Sequence, residues 1–262
     1  MKYGFIGCGN MGSALAKALS KTTKDILLAD HDTKKASELA SDLGVSVGSN
    51  EEIAQNCERI FLGVKPQMMK ECVEGIAHIL RERKPTLISM AAGLSIETIE
   101  RFVGDKLPII RIMPNTPVSV GKGMVLYCAN SEVDSEVAKD FANDMHFAGI
   151  LDMIDECFMD AGCSVSGCGP AFMYMFADAL ACGGTECGLS YEQAVKYAAA
   201  TMAGAAQMML QGDKTPKELR EAVCSKGGST IEGVKVLEQG RLSELVSNCI
   251  KASYNRNMEL GK

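Results

Sequence analysis

A chain of 262 residues with 47% hydrophobic and 23% charged side chains has the make-up of an ordinary folded protein, long enough for one large or two modest domains. A net charge of −6 and the lack of any basic run argue against a nucleic-acid partner. Apolar stretches broken by Gly, Lys or Asp before roughly 18 residues offer no readable membrane span, and a strand in place of a leader at the N-terminus points to the cytoplasm.

Tyr3, Phe5 and Ile6 form a short apolar strand. Gly7, Gly9 and Gly12 then spell G-x-G-x-x-G, and helical spacing continues from Met11 to Leu19. In that setting the first glycine allows a tight turn, the second lets backbone approach a pyrophosphate, and the third lets helix and strand pack closely. Free N–H groups at the helix start, around Asn10, Met11 and Gly12, face the anion. Residues 25–30 (DILLAD) read as a second strand ending in Asp30, placed about 20 residues on, where an acid takes the ribose hydroxyls of NAD. His31, Thr33, Lys34 and Lys35 follow at once and could meet the 2′-phosphate of NADP instead; both readings stand. Asp32 can also simply cap a helix from Thr33 to Leu43, which Gly44 stops.

Further along, Val45 to Val47 is a short strand and Ser49 with Glu52 a capping box. Strands are expected at Arg59 to Val64, running into Lys65-Pro66, at Thr86 to Met90, running into Ala91-Ala92-Gly93, and at Ile109 to Met113, running into Pro114-Asn115-Thr116-Pro117. Helices are expected over Gln67 to Leu80, over Ile96 to Val103 behind a Ser95 cap, and over Ser131 to Phe147, with one more strand at Gly121 to Cys128. Such alternation predicts an α/β fold: a Rossmann domain over residues 1–161, with a parallel sheet covered on both faces and ligands at the carboxyl ends of its strands.

Residues 164–170 (SVSGCGP) read as a glycine-rich break with Pro170 in a helix first turn, after which only helices appear, making 162–262 an all-α domain. Its helices run over Ala171 to Cys182, Tyr191 to Leu210, Pro216 to Val223, Ile231 to Gln239 and Ser243 to Glu259. Capping boxes stand at Ser190/Gln193 and Thr215/Glu218. The helix from Tyr191 to Leu210 is apolar on most sides, more than a small domain can bury, which predicts dimerisation. The eleven cysteines do not cluster: Cys163/Cys168 and Cys182/Cys187 are too widely spaced for C-x-x-C. With three scattered histidines, this predicts free thiols packed as small apolar residues and no metal site.

A second anchor lies at 224–230, Cys-Ser-Lys-Gly-Gly-Ser-Thr between two helices. Gly227 and Gly228 expose backbone N–H groups at a helix start, a cradle for a carboxylate or phosphate, and Ser225, Ser229 and Thr230 add hydroxyls; the same residues would serve a plain capped helix after a Gly-Gly turn.

The two anchors together resemble pyrroline-5-carboxylate reductases. The likeness runs essentially end to end through IGCGNMGSA, LGVKPQ, MAAGLS, RIMPNTPVSVGKGM, SGCGPAF and PKELREAVCSKGGSTIEGVKVLE, the last being the most specific. The chain departs at Lys226, where the family usually has Pro, and at Cys168, where it often has Ser. The resemblance implies reduction of the cyclic imine L-1-pyrroline-5-carboxylate to L-proline with NADP, or NAD, as cofactor. It also implies a helical dimerisation domain, a homodimer that can assemble into a ring, and a site shared between a nucleotide domain and the helical domains of the dimer. Met113, Pro114 and Asn115 then flank the nicotinamide, and Val64, Lys65 and Pro66 its ribose. Ser225, Gly227, Gly228 and Ser229 take the substrate carboxylate, and Thr230 the imine nitrogen, as proton relay or as positioning group alone. A 3-hydroxyacid dehydrogenase on the same two-domain plan would need a lysine base behind a Gly-rich helix start, and Lys196 has none. A non-catalytic NAD(P) sensor would not need the 224–230 loop.

Overall fold

The computed structural model describes residues 1–260. Met1–Cys168, rejoined by the chain from Ser253 on, forms one compact unit; Gly169–Ala252 forms another.

The first unit is built on eight strands: β1 (Tyr3–Ile6), β2 (Ile26–Ala29), β3 (Ser46–Val47), β4 (Arg59–Leu62), β5 (Thr86–Ser89), β6 (Ile109–Pro114), β7 (Gly123–Ala129) and β8 (Gly149–Met153). They lie in the order β3-β2-β1-β4-β5-β6-β7-β8. Helices α1 (Asn10–Leu19), α2 (Thr33–Leu43), α3 (Asn50–Asn56), α4 (Pro66–Arg83), α5 (Ile96–Val103) and α6 (Ser135–Asp144) alternate with them. Successive side chains of a buried strand point to opposite faces. Thus Ile60 and Leu62 join the α4–α5 side of the core, while Phe61 stacks on Phe5 at 4.2 Å on the α1–α2 side. β1 to β6 are mutually parallel, so the loops at their carboxyl ends, where ligands are expected, share one edge. Strand order reverses beside β1, which puts the crevice between the ends of β1 and β4.

Helix boundaries follow their local chemistry. Asp32 caps α2 and Gly44 (φ 65°) ends it; Ser49 and Glu52 close a capping box on α3. Elsewhere the expectations need correcting. β7 runs antiparallel to β6, because the connection 115–122 is shorter than the dozen or so residues a parallel crossover needs. α6 starts at Ser135 under an Asp134 cap rather than at Ser131, and the half-exposed edge strand β8 follows it. The break expected at 164–170 narrows to a bend at Cys168, and Pro170 stands in the first turn of the helix that follows, as expected. α7 (Met159–Gly162) runs into a π-helical turn, Cys163–Gly167, and α8 (Gly169–Glu186) follows. The run Glu156–Glu186 is long and apolar enough to cross a membrane by length and composition alone, a test that helices of proteins outside membranes also pass. Pro170 interrupts the run's hydrogen-bond ladder.

The second unit contains α8 with α9 (Tyr191–Gln211), α10 (Pro216–Val223), α11 (Ser229–Gln239) and the first part of α12 (Leu242–Leu260). α8 and α9 meet through small residues: Ala181, Ala194 and Ala198 are buried, and a Cβ at Gly184 would lie 3.2 Å from that of Ala194. Most large side chains of this pair stay exposed, among them Met173, Tyr174, Met175, Tyr197 and Leu210. All eleven cysteines are free; Cys8, Cys57, Cys128 and Cys163 are buried, but Cys157, Cys182 and Cys187 are exposed rather than packed inside.

Candidate functional site

At the end of β1 the three glycines divide their labour. Gly7 sits at φ +101°, and a Cβ there would lie 2.6 Å from the carbonyl carbon of Gly63 on the neighbouring loop. A Cβ at Gly12 would strike the Gly7 carbonyl oxygen, so α1 can approach the turn only without one. Gly9, at the N-cap of α1 with φ −64°, is different: a Cβ there meets nothing within 4 Å. No side chain caps this helix, and the first N–H to find a helical carbonyl is that of Ser13, which donates to Gly9 O at 2.8 Å. The N–H groups of Asn10, Met11 and Gly12 are the helix's own orphans. Bare donors beside open space fit a pyrophosphate.

Asp30 does not present a free carboxylate to a ribose, as expected from its position. Its side chain is 5% exposed, Oδ2 accepts from Cys8 N–H at 2.6 Å, and Oδ1 accepts from Asp32 N–H at 2.9 Å with His31 Nδ1 equally close. It braces the glycine turn from below. Burial, joined by the Asp30 charge, pushes the Cys8 thiol up to about 11, so Cys8 is an inert packing group. Lys34 and Lys35 are exposed, Lys34 lying 3.8 Å from Glu38. Val64 is half-buried, Lys65 is the exposed N-cap of α4 and Pro66 its first residue. Gly63 was not singled out in the sequence; its Cβ would lie 2.6 Å from Gly7 O, so it belongs to the turn as fully as Gly12.

At the end of β6, Met113 and Pro114 are buried. Asn115, expected beside the nicotinamide, spends both ends of its amide on backbone: Nδ2 donates to Ser166 O and Oδ1 accepts from Met124 N–H, each at 2.9 Å. Arg111, also missed, is a 4%-exposed cation on the same strand. It pairs with Glu156 at 3.0 Å and Asp160 at 3.6 Å, and Glu156 in turn accepts from Ile96 N–H at the start of α5. Its Nε is the one buried side-chain polar atom without a partner among the described residues.

The second anchor stands in the other unit. Gly228 N–H, assigned to a substrate carboxylate, instead donates to Ser225 O at 3.1 Å and closes a turn with Gly227 (φ +76°) in its third position. That is the pattern of a type II turn, whose second position favours Pro; Lys226 occupies it. Gly228 is the N-cap of α11 and no side chain caps the helix. The donors left open are therefore those of Ser229, Thr230 and Ile231. Thr230 is the second residue of α11, so the plain capping role is not its own. A Cβ at Gly228 would lie 2.5 Å from Ser225 Oγ, which shows that the hydroxyl folds over the helix start.

Both anchors fall within segments that match known families. Residues 156–260 match the family model described as pyrroline-5-carboxylate reductase dimerisation, and residues 2–93 one described as NADP oxidoreductase, coenzyme F420-dependent. A pyrroline-5-carboxylate reductase from Aquifex aeolicus is 34% identical over 99% of this chain and 97% of its own length. The chain belongs to the pyrroline-5-carboxylate reductase family. A solved structure of the Coxiella burnetii family member superposes with a TM-score of 0.94 at 33% identity, covering 100% of this chain and 98% of that one. The Plasmodium falciparum member, solved with NADP bound, gives 0.87 at 31% identity with the same coverage. In this family the helical segment is thus a dimerisation domain joined to a Rossmann-type nucleotide domain, which gives the exposed apolar faces of α8 and α9 their setting.

Proposed function

We propose that this protein reduces L-1-pyrroline-5-carboxylate to L-proline, the last step of proline synthesis, with NADPH preferred over NADH. One observation carries the reading: α1 and α11 both start without a side-chain cap, the first beside the open space at Gly9 and the second under the Ser225 hydroxyl, with Thr230 as its second residue. The first suits a pyrophosphate and the second a small carboxylate. The bound dinucleotide supplies a hydride from its nicotinamide.

The chain's own residues bind and orient. Asn10, Met11 and Gly12 hold the pyrophosphate through their N–H groups. Lys34 and Lys35, both exposed, take the 2′-phosphate, while Asp30 spends its oxygens on the Cys8 and Asp32 N–H groups rather than on ribose hydroxyls, which supports NADPH. Val64, Lys65 and Pro66 border the ribose, while Met113 and Pro114 give the nicotinamide an apolar wall that excludes water. The substrate carboxylate accepts from Ser229 N–H and Ser225 Oγ–H, over the turn that Gly227 and Gly228 shape. Thr230 Oγ hydrogen-bonds the ring nitrogen, fixing the imine carbon for contact with the hydride donor. No His, Asp or Glu within 224–231 competes for that nitrogen.

We further infer a homodimer in the cytoplasm, assembled into a ring of dimers, with the exposed faces of α8 and α9 as contact surface. Initial rates with the pyrroline substrate and either NADPH or NADH test the activity. Turnover favouring NADPH is the expected result; cofactor binding without turnover would reduce the protein to a nucleotide sensor.

A further inference from the structure

Asn115 stands at the N-cap position of a 3-10 turn, Thr116–Val120, where an asparagine side chain ordinarily caps; here it does not. Its side chain, in a residue only 9% exposed, is drawn away to two backbone groups that their own elements leave unserved. The first is the Ser166 carbonyl in the π-helical turn. The residue four positions on, whose N–H would serve that carbonyl in an α-helix, is Pro170, which has no N–H. Asn115 Nδ2 supplies the donor at 2.9 Å. The second is Met124 N–H. The last β6–β7 pair is Pro114 with Val125, so Met124 lies one residue past the ladder, and its N–H donates to Asn115 Oδ1 at 2.9 Å. One amide thus ties the end of β6 both to the start of β7 and to the turn that precedes α8. Val118 N–H meanwhile holds the Asn115 backbone carbonyl at 3.1 Å.

We propose that Asn115 is a positioning residue for hydride transfer: by clamping the end of β6 on two sides, it fixes Met113 and Pro114, and through them the plane of the nicotinamide. This rests on the proposed placement of the nicotinamide against those two residues. Removing the clamp leaves the pyrophosphate site at α1 untouched but lets the strand end drift. A misplacement of about 1 Å at a reacting centre can cost on the order of 100-fold in rate.

The test compares Asn115→Ala, Pro170→Ala and the double variant. Pro170→Ala gives Ser166 O a donor from its own helix, so it relieves the orphaned carbonyl without restoring the tie to β6. For Asn115→Ala we expect NADPH affinity within about 3-fold of the parent, kcat lowered about 10–100-fold, and a larger primary deuterium isotope effect on kcat when the transferred hydride is labelled. In the double variant the melting temperature recovers relative to Asn115→Ala, while kcat and the isotope effect do not. Recovery of kcat in step with stability would show that Asn115 only satisfies an orphan, and overturns the proposal; so does a parent-like kcat in Asn115→Ala. If Asn115→Ala is too unstable to purify, the double variant decides alone, by the same kcat and isotope effect. An unmutated protein that fails to reduce the imine defeats the proposed function, a different outcome from active enzyme insensitive to Asn115.

Discussion

The same substitution made three residues apart should separate what binds cofactor from what holds the fold. Gly9→Ala adds a methyl where nothing lies within 4 Å, at φ −64°, which alanine adopts freely. Alanine is a poorer N-cap than glycine by up to about 1 kcal/mol, and it regains about 0.4–1 kcal/mol by restricting the unfolded chain. The melting temperature should therefore move by no more than about 2 °C. The methyl nevertheless occupies the space a pyrophosphate needs. Losing one charge-assisted N–H contact costs about 1.5–3 kcal/mol, which predicts NADPH affinity weakened roughly 10–150-fold. Gly12→Ala instead drives its methyl into Gly7 O. That carbonyl cannot retreat, since Gly7 N–H is bonded to Ala29 O at 2.8 Å and Gly63 packs against the turn. Overpacking of this kind costs about 1–3 kcal/mol, or roughly 3–10 °C in a chain of this size, with affinity lost as well. Thermal melts and NADPH fluorescence titrations on the two variants decide the matter. Equal destabilisation, or parent-like NADPH affinity in Gly9→Ala, would refute the division of labour.

Thr230→Ala should lower turnover by about 10²–10³-fold with melting temperature and NADPH affinity nearly unchanged, because Gly228 and not Thr230 holds the N-cap position; intact turnover would sink the assignment. Replacing Lys34 and Lys35 together by Ala should raise KM for NADPH at least 10-fold more than KM for NADH, by the loss of one or two charge-assisted contacts; an equal rise removes the 2′-phosphate role. Asp144 gives a pH signature. Burial alone would raise its carboxyl, but hydrogen bonds from Lys2 and Tyr3, with the Lys2 and Arg59 charges, hold it below the usual carboxylate range. A folded-state value below the unfolded one stabilises above the ordinary range, and that stability is lost as pH falls through the folded value. Asp144→Asn should lower the melting temperature at neutral pH and flatten its decline in acid; an unchanged acid slope would count against it.

Much of the nucleotide unit could be read directly. RIFL, TLIS and IIRIM are apolar apart from Arg59, Thr86, Ser89 and Arg111, the near-continuous pattern of strands buried on both faces, and Asp32, Ser49, Ser190 and Thr215 cap where their spacing predicts. What escaped depends on neighbours remote in sequence. The role of Asp30 follows from Cys8 N–H, 22 positions away, and that of Asn115 from Ser166, 51 away. Nothing beside Arg111 in sequence marks it, because its acids stand at Glu156 and Asp160. The segment 164–170 has loop composition, but its helix persists to Gly167 because π-type bonds such as Cys168 N–H to Cys163 O carry it forward. β8 is short and half-exposed, with neither alternation nor an apolar run to mark it.

The carbonyl of Gly7 has a genetic consequence. Gly12 and Gly63, 51 positions apart, are both kept bare by that one oxygen, and Gly7 by the backbone of Gly63. Crowding elsewhere in a core can be relieved by a second change that trims the opposing side chain. Here the opposing atoms are main chain, and no residue is smaller than glycine. Loss-of-function alleles at positions 7, 12 and 63 should therefore revert only at the mutated codon. A selection for proline prototrophy that returns intragenic suppressors at any other codon would show the turn to be softer than its geometry.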